Sequence, residues 1–305
     1  MHVVVLGAGA MGSLFAGRLA GTDASVTLLG HASEHVATVD RDGLVLQETD
    51  GTRRTLDLDV TTDNARASEA DLLLVAVKSY DTADAMADVV DHLADADVLT
   101  VQNGLGNAET IADFVPAARV IAGTTSHGAT RPDPGRVRHA GAGATRVGRY
   151  FVDNDDTVER VASLLSAAGI QTSVVENVRD AVWEKVLVNV GINAPTALAR
   201  VRNGDLLRSS AGERVLADAV REGVAVAEAE GIDVPADVVD VVRSVARETA
   251  SNRSSMRQDL EAGRRTEIEA LNAAVVRRGD AHGIRTPVNR TLVSLVRLAS
   301  DDGTE

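Results

Sequence analysis

The chain has no cysteine, which excludes structural disulfides, thiolate metal sites and cysteine nucleophiles. Aromatic residues are only 2% of its 305 residues, so the cores implied by a hydrophobic fraction of 44% must be built from valine, leucine and alanine. No apolar run approaches the ~20 residues that span a bilayer. The first residues enter a strand pattern with no basic leader, so a soluble cytoplasmic protein without a membrane partner is expected. Basic surface is scarce as well. A formal net charge of −14 argues against nucleic acid as a partner, because phosphate binding needs clustered cations. Acidic residues are spread along stretches such as 88–97 and 237–248, a pattern expected of a halophilic protein that stays soluble in high salt. Lysine is the rarest charged type. Of 31 basic residues only Lys78 and Lys185 are lysines, and the rest are arginine. A chain so biased keeps lysine where a compact, deprotonatable ammonium is needed.

Lys185 lies in VWEKVLVNVGINAPTAL, residues 182–198. The stretch is almost wholly apolar except for Lys185, Asn189 and Asn193, and residues four apart stand above one another on a helix. The pattern predicts a buried helix that carries one polar stripe. Buried amide and ammonium groups are costly unless satisfied, so the stripe is expected to face a cleft that receives a polar ligand. The alternative is an internal hydrogen-bond network that ties helices together.

Residues 2–6, HVVVL, read as a strand buried on both faces. Gly7-Ala8-Gly9-Ala10-Met11-Gly12 follows and runs into a helical pattern, which is G-x-G-x-x-G in a strand–turn–helix setting. The glycines permit a tight turn and close approach of a pyrophosphate, and the helix N-terminus offers N–H groups to the phosphates. Dinucleotide binding is expected. The second strand, Ser25–Leu29, ends at Gly30-His31, with neither the carboxylate usual for NAD nor the arginine usual for NADP. The missing carboxylate favours NADP, with His31 as a candidate contact for a 2′-phosphate.

Gly43–Val60 fits a hairpin about Asp50-Gly51. Asp71–Val77, Val98–Val101 and Val120–Gly123 read as further strands. Lys78-Ser79 follows the first of them, at the sheet edge where α/β proteins bind ligands. The turn 102–107 follows the second and reads either as amides facing a cofactor or as a plain β-turn. His127, past the third, has the position of a general base but reads as structural. Two short strands within 136–149, a helix over 153–168 and a strand over 171–175 complete this region. From about Asn177 helical periodicity takes over, broken near Pro195, Gly231–Pro235, Arg253 and Gly283–Pro287. The expected fold is α/β: a Rossmann-type dinucleotide-binding domain over 1–176, followed by an all-helical substrate and catalytic domain over 177–305. In the latter, Ser255 with Gln258 fits a capping box. Glu267 stands beside the apolar stripe of Ile268, Leu271 and Val275, and is expected to be partly buried with Lys185 as its partner.

Taken together, GAGAMG, AVKSYDT, VQNGLGN, GTTSHGA, EKVLVNVGINAPTAL, RNG and SSMRQDLEAGRRTEIEALN resemble the ketopantoate reductase family in their order and spacing along nearly the whole chain. The resemblance implies a Rossmann-type domain followed by a helical one. It also implies NADPH-dependent reduction of 2-dehydropantoate to (R)-pantoate, on the way to pantothenate and coenzyme A. By position it implies that Lys185 is the catalytic lysine, and that Glu267 is the acidic residue associated with it and with the substrate hydroxyl. Asn189, Asn193, Asn203 and Ser255 match substrate-binding positions, and Lys78 and Asn103 match cofactor-side and cleft positions. The departure is at Gly30-His31, where the family commonly carries an arginine; NADH is therefore the alternative cofactor. No metal is expected, and the state in solution is expected to be a monomer or a homodimer.

Reducing the C2 ketone builds negative charge on its oxygen. An ammonium beside it stabilises that charge and delivers the proton, so Lys185 is expected to be the general acid. Two other classes are weighed against this. One is a related two-domain dehydrogenase acting on another 2-keto or 3-hydroxy acid. The other is a nucleotide-sensing protein without catalysis, which would have no use for the Lys185–Asn189–Asn193 stripe.

Overall fold

Short valine- and leucine-rich runs that alternate with amphipathic stretches build a parallel sheet covered by helices. The computed structural model describes residues 1–300. The chain divides into two compact units: Met1–Gln102 with Asn107–Ala181, and Asn103–Gly106 with the residues from Val182 on.

The first unit begins with β1 (His2–Leu6), α1 (Ala10–Leu19), β2 (Ser25–Leu29), α2 (Glu34–Asp42), β3 (Leu44–Gln47), β4 (Arg53–Leu56) and β5 (Asp59–Thr61). It continues with β6 (Leu72–Val75), α3 (Thr82–Val89), β7 (Asp97–Thr100), α4 (Asn107–Ala112), β8 (Val120–Thr125) and β9 (Gly128–Thr130). β10 (Arg136–Gly141), β11 (Thr145–Arg149), α5 (Asp156–Ala167) and β12 (Thr172–Val174) complete it. Eight strands form one sheet in the order β12-β11-β8-β7-β6-β1-β2-β5, parallel throughout except where β11 meets β8. β1 sits near its middle, and Val3, Val4 and Val5 are wholly buried, as the apolar run predicts.

A second sheet, ordered β4-β3-β10-β9, was not legible in the sequence. The two strands read within 136–149 belong to different sheets: β10 pairs with β3 and β9, whereas β11 pairs with β8. The expected hairpin is β3 and β4, and its far end is not part of it, because β5 leaves to pair with β2. The small sheet rests on α1. At Gly17 a Cβ would lie 3.1 Å from Leu44 and 3.2 Å from Leu56, so glycine there permits the close packing.

The second unit is helical. Its long helix α6 (Val178–Ala199) begins in the last residues of the first unit, and α7 (Ser210–Ala229), α8 (Val238–Glu248), α9 (Ser255–Glu261), α10 (Asn272–Ala281) and α11 (Pro287–Ala299) follow. Two apolar clusters hold α6. Trp183, Val186, Val190 and Ala194 pack with Ile268, Leu271 and Val275, while Leu187 and Ile192 pack with Leu216, Val220 and Val242. Buried carboxamides brace it from outside: Asn272 Nδ2 donates to the Val190 carbonyl at 3.2 Å and to Asn289 Oδ1 at 2.9 Å. Asn289 is fixed in turn by Glu222, which also accepts two backbone N–H groups at the start of α11.

One expected break is absent, and one break falls where none was expected. Pro195 does not interrupt α6. It falls in the last turn, where its missing N–H removes a single ladder bond. The Thr196 hydroxyl donates to the carbonyls of Ile192 (2.7 Å) and Asn193 (3.1 Å), holding that turn together. Conversely, the chain between Glu261 and Asn272 leaves the helical path. Ile268 and Leu271 are buried there by turns, so their spacing imitated a helical stripe.

Candidate active site

The turn from β1 to α1 shows why each motif position is what it is. Gly7 has φ +114°, a conformation open to glycine, and a Cβ on it would come within 2.8 Å of Val77. A Cβ on Gly12 would lie 1.9 Å from the Gly7 carbonyl oxygen, so α1 could not start so close to the strand. Gly9 differs. It is the N-cap of α1, no side chain caps the helix there, and a Cβ would meet nothing within 4 Å. The turn therefore keeps bare space before a helix N-terminus, with Ala8, Ala10 and Met11 half-buried around it. That is the shape a pyrophosphate needs.

At the end of β2, Gly30 is wedged against Ala8, and His31 is exposed. His35, at the start of α2, is buried: its Nε2 lies 2.9 Å from Ser13 Oγ on α1, and its Nδ1 accepts the Gly135 N–H at 3.0 Å. Burial, and then the charge of Arg131, push its pKa down to about 4. Arg131 itself donates from Nη1 to the carbonyl of Ala8 at 3.1 Å. Neither residue was singled out in the sequence. Their roles arise from pairings across about a hundred positions, to which local patterns are blind.

Lys78 follows β6 by three residues and is half-buried at the start of a short 3-10 turn, Ser79–Asp81. Gln102 secures that loop by donating from Nε2 to the Val77 carbonyl (2.8 Å) and to Thr82 Oγ1 (2.9 Å). His127 is part of an internal network. Its ring stacks on that of His139 with centroids 5.0 Å apart, its Nδ1 is 2.9 Å from His139 Nε2, and His139 meets Arg18. Burial, His139 and Arg18 lower its pKa in that order of weight.

In the second unit α6 carries the polar line the spacing predicts: Lys185 and Asn189 are half-buried and Asn193 is buried. One turn on, Thr196 Oγ1 lies 2.8 Å from Ser254 Oγ, whose hydroxyl can donate to it while the Thr196 proton serves the helix carbonyls. This corrects the expected cap. Ser254, not Ser255, caps α9 by accepting the Arg257 N–H at 3.2 Å, while Gln258 donates to the Arg253 carbonyl. Ser255 is thereby left exposed in the first turn, next to a serine tied to α6. Asn203 is buried and fixed to the segment before α9: its N–H donates to the Asn252 carbonyl (3.1 Å) and its Nδ2 to Thr249 Oγ1 (2.9 Å). Its Oδ1 is buried with no hydrogen-bond partner among the described residues.

Asn103 and Glu267 are brought together across 164 positions: Asn103 Nδ2 donates to Glu267 Oε2 at 3.4 Å, and Glu267 is only 8% exposed. Gly104, at φ +94°, makes this approach possible, since a Cβ on it would meet Ala270 at 2.5 Å. The amide of Leu105 is committed to the Ala270 carbonyl at 2.8 Å, so this part of the turn supports packing instead of offering its N–H to a cofactor. Leu105 and Ile268 belong to the same apolar cluster as Trp183 and Val186, the residues that flank Lys185 on α6. Among the described residues no cluster of three His, Cys, Asp or Glu is placed to hold a metal ion, and no helix is long and apolar enough to cross a membrane.

This geometry has known counterparts. The model of the ketopantoate reductase PanE/ApbA family matches residues 3–150, and that of its C-terminal part matches residues 177–300. A 2-dehydropantoate 2-reductase from Halobacterium salinarum is 55% identical over 99% of this chain and 100% of its own length. Among solved structures, a PanE/ApbA family ketopantoate reductase from Ralstonia eutropha superposes with a TM-score of 0.92 at 35% identity, covering 100% of both chains. D-mandelate dehydrogenase, solved with NADH and anilino(oxo)acetate, superposes with a TM-score of 0.90 at 27% identity over 99% of both chains. With both parts of the family model matched in order and a relative alike over its full length, the chain belongs to the ketopantoate reductase family.

Proposed function

We propose that this chain is a 2-dehydropantoate 2-reductase, an oxidoreductase that converts 2-dehydropantoate to (R)-pantoate with NAD(P)H on the path to pantothenate and coenzyme A. The observation that carries the reading is the line Lys185–Asn189–Asn193 on a helix otherwise buried in apolar clusters. The turn Gly7–Gly12, with its bare Gly9, fits a dinucleotide, and His31, Lys78 and Asn103 are assigned to its surroundings. The domain over 1–176 binds the nucleotide and that over 177–305 binds the substrate. The bound reduced nicotinamide supplies a hydride to the ketone carbon.

The protein's own residues supply the rest. Lys185 Nζ faces the ketone oxygen, stabilises the charge that develops there and delivers the proton. Glu267, held by Asn103, orients the ammonium and the substrate hydroxyl. Asn189, Asn193, Asn203 and Ser255 hold the substrate by hydrogen bonds, Ser255 at its carboxylate, and so fix its approach. The enzyme works in the cytoplasm as a monomer or homodimer, in high salt. Its net charge of −14 and its likeness to a Halobacterium relative support the last point.

The test is oxidation of NADPH and of NADH by the protein in molar potassium chloride, each with 2-dehydropantoate. Turnover with either is expected. The fold shared with D-mandelate dehydrogenase favours a second reading, a dehydrogenase for another 2-keto acid. A folded, nucleotide-binding protein that reduces an aryl 2-keto acid but not 2-dehydropantoate would replace the first reading with the second.

A further inference from the structure

Arg131 stands on the segment between β9 and β10, far in sequence from the glycine-rich turn it reaches. Its bond to the Ala8 carbonyl places it beside Gly30, because a Cβ on Gly30 would come within 2.6 Å of the Ala8 Cβ. Gly30 follows the last residue of β2. At that strand end a dinucleotide-binding sheet meets the adenine ribose, with a carboxylate for a 2′-hydroxyl or an arginine for a 2′-phosphate. Here the strand end supplies Gly30 and His31.

The segment that carries Arg131 is anchored. The Gly135 N–H donates to His35 Nδ1 at 3.0 Å, and the other face of that ring meets Ser13 on α1 at 2.9 Å. Arg131 is near enough for its charge to depress the His35 pKa. The carboxylate of the same segment, Asp133, lies 3.8 Å from Arg136. Among the described residues no carboxylate pairs with Arg131, and its side chain is exposed. Glu34 is the only acidic residue near the strand end in sequence, and it opens α2, where the helix dipole favours a negative charge. A guanidinium has five donors in a fixed fork, which suits a phosphate better than any other side chain.

We propose that Arg131 binds the 2′-phosphate of NADPH, supplying from a distant loop the cation that the end of β2 lacks. The proposal rests on the reading of the chain as an NAD(P)H-dependent reductase, and it makes Arg131 a specificity-determining residue for the nucleotide.

The experiment is a titration of NADPH and NADH into the full-length protein and into Arg131→Gln, followed by nicotinamide fluorescence or calorimetry without substrate. The wild type is expected to bind NADPH more tightly than NADH. Arg131→Gln is expected to lose about tenfold or more on NADPH and to keep its NADH affinity. Arg131→Lys should retain part of the difference, and unchanged melting temperatures would show that both variants fold. Equal losses on both nucleotides would move Arg131 to the shared pyrophosphate and overturn the assignment, as would an unchanged NADPH affinity. A folded wild type that binds neither nucleotide would overturn the reductase reading itself, and this proposal with it.

Discussion

At the scale of single residues, the proposed function gives Lys185 and Asn189 separable tasks. Arginine keeps a positive charge but does not surrender a proton near neutral pH. Lys185→Arg is therefore expected to lose at least about a hundredfold in kcat while binding NADPH as before, in line with typical general-acid contributions. Wild-type turnover in that variant would remove Lys185 from the chemistry. Asn189→Ala should raise KM for 2-dehydropantoate with a smaller change in kcat, and an unchanged KM would remove it from the substrate's surroundings. These positions were legible in the sequence because helical spacing is local: three polar residues four apart on an apolar background need no knowledge of the fold. Arg131, Gln102 and His35 were not legible, since each matters through a partner supplied by another loop. The serine pair was half legible. Ser254 and Ser255 are equally good caps by composition, and only the buried hydroxyl of Thr196 decides which one turns inward.

At the scale of elements, the turn from β1 to α1 separates two reasons for glycine. Gly12→Ala would drive a Cβ into the Gly7 carbonyl, which is backbone and cannot move aside cheaply. It is expected to cost about 2 kcal/mol or more in stability, read as a lower urea midpoint. Gly9→Ala meets no protein atom, so the urea midpoint should stay near that of wild type while dinucleotide affinity falls by about tenfold or more. If Gly9→Ala bound nucleotide normally, the bare space would not be the phosphate site. Strands buried on both faces and bounded by turns were readable, and β2 runs from Ser25 to Leu29, the bounds read from the sequence. The small sheet escaped notice because its partners are scattered. β3 pairs with β10 across some ninety positions, and β9 is only three residues long. Pro195 misled for the opposite reason: a strong local breaker was overridden by tight packing around α6 and by one hydroxyl.

At the scale of the whole molecule, stability is expected to depend on acid in a particular window. In the folded state His35 resists protonation until about pH 4, against an ordinary value of 6.5. Between those values the unfolded chain takes up a proton that the folded chain refuses, so stability falls as pH drops from about 6.5 to about 4. The loss from this one group is at most about 3 kcal/mol. His35→Gln, which can still accept from Gly135, should flatten that part of the profile, and parallel profiles from pH 7.5 to 4.5 would show that His35 contributes nothing. A different kind of consequence follows from the bond between Asn103 and Glu267, which spans 164 positions. At the ~5–20 residues added per second during synthesis, Asn103 leaves the ribosome roughly ten to thirty seconds before its partner. The last three strands of the large sheet, β8, β11 and β12, are made in that interval, the final one ending at Val174, while Leu105 still has no Ala270 on which to rest. The nascent chain thus completes its glycine-rich turn and the sheet around it long before Asn103 has Glu267 to meet; on the proposed reading it would acquire the power to hold a dinucleotide before it acquired the power to use one.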